Sequence, residues 1–109
     1  MDLVDVVEMI GNRLTQIDMA IARLSPSDPN AAELTALRQS LDQQQRLLVK
    51  LAFDVNTSRF QEASKDLKAV NDNLADSIQK IDRIATAIDD VTRFLTTVTN
   101  LVATASKVL

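Results

Sequence analysis

The C-terminal half of this chain carries one nearly unbroken apolar line. Phe60, Leu67, Leu74, Ile81, Ile88, Leu95, Val102 and Leu109 recur at every seventh position. Ala63, Val70, Ser77, Ile84, Val91, Val98 and Ala105 form a second set interleaved with the first, and only Ser77 among them is polar. Alternating steps of three and four residues keep both sets on one stripe of an α-helix and form the seam of coiled-coil packing. A segment patterned this way must be helical, and its stripe must be buried against other helices.

The same spacing appears twice upstream. Leu3, Val7, Ile10, Leu14, Ile17, Ile21 and Leu24 mark a first helix over about 2–24, and Leu34, Leu37, Leu41, Leu48, Leu51 and Val55 a second over about 29–54. Gln44 is the polar seam position of the second helix, a residue type that sets register at some cost in stability. Between the two lies Ser25-Pro26-Ser27-Asp28-Pro29-Asn30. Pro26 cannot continue a helix. Asp28 before Pro29 reads as an N-cap followed by a first helical residue. So short a link predicts an antiparallel hairpin.

A second break is expected at Asp54-Val55-Asn56-Thr57-Ser58, where Ser58 and Gln61 would make a capping box. The rival is a kinked helix that breaks at Asn71-Asp72-Asn73. The seam runs straight through 71–73, so the segment is read as one helix over 58–107. Three acid-first i,i+4 pairs support the helices: Asp42 with Arg46, Asp76 with Lys80, and Asp89 with Arg93.

Those lengths imply a partner. At about 1.5 Å per residue the third helix would run about 75 Å, twice the reach of either shorter one. Ile81, Ile84, Ile88, Val91, Phe94, Leu95, Val98, Leu101 and Val102 would then stand uncovered. Each large apolar side chain costs about 1.5–3 kcal/mol in water, more than a marginally stable chain carries. The expected fold is all-α: an antiparallel helical hairpin plus one long C-terminal helix in a single domain over 1–109. Oligomerisation would complete the coiled-coil-like bundle through those nine residues. A homodimer with the long helices antiparallel is the simplest assembly. A higher oligomer or a partner protein's helix is the alternative cover.

Composition removes most chemistry. The chain has no His and no Cys, so imidazole bases, thiolate nucleophiles and their metal sites are absent. Its one Gly excludes a glycine-rich phosphate loop. The carboxylate pairs Asp72/Asp76, Glu62/Asp66 and Asp89/Asp90 fall mainly off the seam, on faces expected to be wet. With 12 basic against 15 acidic residues and no basic stripe, nucleic acid is not an expected partner. No enzyme activity and no cofactor are expected. The opening Met1-Asp2-Leu3-Val4-Asp5 lacks the basic start and apolar run of a signal peptide. The charge-free stretch Phe94–Ser106 is too short and too rich in Thr to span a bilayer. A cytoplasmic location follows as the expectation.

Two functional readings remain. The first is a self-associating interaction, scaffold or adaptor module. The second is a membrane-active or secretion-associated protein that uses an amphipathic helix over 91–109, apolar on one side and Thr-rich on the other. The turn Leu24-Ser25-Pro26-Ser27-Asp28-Pro29, followed by Leu34, Leu37 and Leu41, resembles the Pro-x-Asn-Pro hairpin of type III secretion needle subunits. Asp28 stands where that family has Asn, and the chain continues well past the helix that should end it. The resemblance covers only residues 24–41 and implies a helical hairpin there.

Overall fold

The computed structural model describes residues 3–50 and 58–108, without the side chains of Ile81 and 105–108. Among these residues there are four α-helices and no strand. They are α1 (Leu3–Arg23), α2 (Pro29–Lys50), α3 (Ser58–Ser77) and α4 (Ile84–Val108), with a 3-10 segment, Ile81–Arg83, leading into α4.

The first turn forms as its residues require. The Asp28 N–H donates to the Ser25 carbonyl at 2.9 Å, which reverses the chain. The Asp28 carboxylate then accepts the Asn30 N–H at 2.9 Å, and its carbonyl accepts the Ala31 N–H at 3.0 Å. Two donors at the start of α2 are thereby satisfied, and Pro29 at the first helical position had none to offer. Arg23 ends α1, where a cation suits the helix dipole. The two helices run antiparallel. Arg38 of α2 grips Asp18 of α1 with two bonds, at 3.0 and 3.3 Å, and Gln45 Nε2 donates to the Val7 carbonyl at 3.1 Å. Gln45 thus makes the part-buried amide bond across this pair, while the expected seam residue Gln44 is only half-buried.

The C-terminal half is not one long helix. Helix α3 runs through Asn71–Asn73 without a break and stops at Ser77, and α4 folds back along it. The reversal contains neither Gly nor Pro. Its backbone tightens into i to i−3 bonds: Gln79 to Asp76 at 3.4 Å, Lys80 to Ser77 at 3.0 Å and Arg83 to Lys80 at 2.9 Å. Lys80, at φ −101° and ψ 84°, leaves the helical region. The heptad count survives the turn because each helix arrives at it and departs from it with its apolar face inward. Spacing alone therefore cannot reveal the reversal. The earlier break expected at 54–58 falls largely on residues 51–57, outside the described residues, as do seam residues Leu51 and Val55; Ser58 is the first residue of α3.

Helix α1 packs against α2 and α3, and α4 packs against α3 and α2, so α1/α4 and α2/α3 are the diagonals. Arg13 of α1 lies beside Asn71 of α3, and Ala20 lies beside Ile78. The two helices therefore run parallel, and the directions alternate along the chain. The whole measures 43 × 21 × 17 Å, shorter than the roughly 75 Å of an unbroken rod. All four helices feed one core. Ile10 and Ile17, Leu34, Leu41 and Leu48, Phe60, Leu67 and Leu74, and Val91, Phe94, Val98 and Leu101 line it with at most 2% exposure. In α1 the deepest positions are Val6, Ile10, Leu14, Ile17 and Ala20, while the expected Leu3, Val7, Ile21 and Leu24 are only partly buried. A helix with two neighbours buries a wider stripe than a two-stranded seam, and its centre lies between them.

Two of the three expected helical ion pairs are present, Asp42–Arg46 at 3.1 Å and Asp76–Lys80 at 2.9 Å. Asp89 and Arg93 are both exposed and are not among the ion pairs of the described residues.

Candidate interaction surface

The residues expected between copies lie inside the single chain. Val91, Phe94, Val98 and Leu101 are fully buried, and Ile88 and Val102 are 7% exposed. Ile84 and Leu95 pack half-buried against the same core, and the Ile81 side chain is not described. The expectation arose from a rod too long to be sheltered. Folding the rod at 78–83 lets α3 cover α4 and both cover the hairpin, so the length argument for a partner no longer holds.

What remains outside is smaller and lies elsewhere. Among the described residues, the exposed large apolar ones are Val4, Met19, Leu47 and Val49. Val4 and Val49 meet where α1 begins and α2 ends. With Leu3, Val7 and Glu8 they line a shallow recess of about 280 Å³, almost wholly apolar. Val4 is 65% exposed and Val49 58%. Isolated exposed aliphatics are ordinary, but two facing each other across a concave apolar wall form a place for another side chain to sit. Glu8, an exposed acid on α1, borders this recess. The seam reading missed this patch. The signal was the triplet Leu47-Leu48-Val49: a helix with a narrow seam turns only one of three consecutive residues inward, and Leu48 is the one buried.

The other recesses are polar or mixed. Asp72, Asp76 and Asp90 face Lys80 and Arg83 across a cleft of about 240 Å³ between α3 and α4. Asp76 is already bonded to Lys80 Nζ, so acid and base neutralise each other locally. Glu62 and Asp66 border a cleft with Arg59 and Asn100. Asp89 stands exposed on α4. Among the described residues no group of three acidic side chains is placed to hold a metal ion. Along the α1/α3 contact, Arg13 is partly buried. Desolvation pushes its guanidinium pKa down, and the nearby Asp72 carboxylate works the other way.

The outer face of α4 is chemically muted. Thr92, Thr97, Thr99 and Thr104 donate their hydroxyls to the carbonyls of Ile88, Arg93, Leu95 and Asn100, one turn earlier, at 2.8–2.9 Å. Among the described residues no helix is long and apolar enough to cross a membrane. Comparison with protein-family models, with characterised proteins and with solved structures finds no match to this chain.

Proposed function

We propose that this protein is a non-enzymatic, self-associating helical bundle acting as an interaction, scaffold or adaptor module, and that it pairs through the Val4/Val49 face. The apolar recess at the α1 start and α2 end carries this reading. It is the most apolar of the recesses described above, and the most exposed large aliphatic side chains of the described residues line it. A second copy is the occupant this reading favours: twofold pairing is the commonest soluble assembly, and it lets the apolar walls of two such recesses cover each other. The core seam of α4 has no part in this contact. Light scattering after size exclusion tests the reading. The expected result is a mass that rises toward the dimer with concentration, and a Val4→Lys/Val49→Lys variant that stays monomeric and melts as the dilute, monomeric wild type does. A wild-type monomer at every concentration would overturn it.

One observation favours a second reading, contact of α4 with a membrane surface. The back-bonded threonines need few hydrogen bonds from outside, which lowers the cost of moving their face out of water. Against it stands the burial of Val91, Phe94, Val98 and Leu101, which α4 must surrender to leave the bundle. Flotation with vesicles of neutral and anionic lipid decides the matter: co-migration supports this reading, and its absence ends it.

A further inference from the structure

The four contacts around this bundle are not of equal quality. Helix α4 meets α2 and α3 extensively, and α1 meets α2 nearly as well; α1 touches α3 far more sparsely. The described buried side-chain atoms that lack a hydrogen-bond partner all belong to the side of α1 that carries this contact, or to α3 opposite it. They are Arg13 Nε and Gln16 Oε1 on α1, and Asn71 Oδ1 on α3. One is a donor and two are acceptors, yet they do not bond to one another. Two recesses of about 220 and 260 Å³ follow one another along the same line, the first between Arg13 and Asn71, the second between Ala20 and Ile78. On this flank α1 mixes Asn12, Arg13, Gln16 and Arg23 with Met9, Met19 and Ala20, whereas toward the core it presents Val6, Ile10 and Ile17.

A buried polar group without a partner is restored by water as soon as the seam parts. That gain offsets part of the apolar exposure at this contact, and the other three contacts have no equivalent group among the described residues. We infer that the α1/α3 seam is a built-in opening: the α1–α2 hairpin swings away from α3 about the α2/α4 contact, well below the free energy of global unfolding. Stability within a fold is not uniform, and the element that opens first is the one with sparse packing and unsatisfied polar groups. Arg13 is the residue around which the seam is weak, since its half-buried charge faces Asp72 without an ion pair.

The chain has no cysteine, so a single introduced thiol reports one site. Ala20 of α1 and Ala87 of α4 are matched reporters. They are 2% and 1% exposed, equally small, and lie toward the same end of the bundle. In native buffer, Ala20→Cys is expected to react with a thiol reagent at least about tenfold faster than Ala87→Cys. Adding Arg13→Leu with Asn71→Leu, which replaces two of the three orphaned groups by apolar ones and leaves Gln16, is expected to bring the two rates together. A difference below tenfold in the parent chain overturns the inference, and so does a difference that survives the double substitution. Should the double variant fail to fold, the parent comparison stands as the test.

Discussion

The two hairpins of this bundle reverse direction by different means. Between α1 and α2 the turn consists of residues that can do little else: Pro26 stops one helix, Asp28 caps the next, and Pro29 occupies a position that needs no N–H. Between α3 and α4 the turn runs through Ile78, Gln79, Lys80, Ile81, Asp82 and Arg83, none of which forbids a helix. Three i to i−3 bonds and one non-helical residue suffice there. The first turn is specified by its own residues. The second exists because the apolar faces of α3 and α4 bury each other only when the chain folds back. Tertiary burial outweighs a helical preference of a few tenths of a kcal/mol per residue at the break.

The second hairpin is therefore vulnerable in its core and the first at its turn. The largest effect is expected from Phe94→Ala, which empties a fully buried site on α4. A loss of about 3–5 kcal/mol in urea unfolding is expected. A loss below about 1 kcal/mol would mean that burial does not hold the second reversal. Next comes Asp28→Ala, which removes the cap of α2. About 1 kcal/mol should be lost, read as a lower urea midpoint at constant slope. Alanine at Gln79, Lys80 and Asp82 together is the matching change in the other turn. It should alter stability by less than about 1 kcal/mol and leave the mass unchanged. A stable elongated dimer from that triple variant would show that local residues, not packing, impose the bend. Gly11→Ala is expected to stabilise α1 by up to about 1 kcal/mol in thermal melts. The added methyl meets Gln45 Nε2 at 3.6 Å, ordinary contact distance. The smallest effect belongs to Asp18→Asn, which weakens the exposed pair with Arg38. Its cost should be about 0.5 kcal/mol and should fade in high salt.

Legibility follows the same division. Seam residues Ile10, Leu14, Ile17, Leu34, Leu41, Leu48, Phe60, Leu67, Leu74, Ile88, Val91, Val98 and Val102 could be read from spacing, and each is buried. Phe94 and Leu101, which broaden the stripe of α4, are buried as well. What spacing could not supply was the identity of the covering surface. Ile88 has the same pattern whether it meets another protomer or α3 and the hairpin of its own chain. The candidate interaction face was hidden for the opposite reason. Val4 and Val49 lie off the seam, on different helices, and become neighbours only in the antiparallel register marked by the Val7–Gln45 and Asp18–Arg38 bonds. The orphaned atoms of Arg13 and Asn71 are likewise invisible until α1 and α3 lie side by side.

By itself, the amino-acid order determined that this protein is helical, where its first turn falls, and which side of each helix turns inward. Those properties depend on a residue's own dihedral limits and on a 3.5-residue period, both of which act within a few residues of chain. Only the tertiary structure decided that the C-terminal half bends at 78–83, that α1 lies beside α3, and that the α4 seam serves this chain's own core. These outcomes depend on which surfaces are free to meet, and hydrophobic burial is non-directional: it rewards any apolar cover and leaves the choice to the geometry of the whole chain.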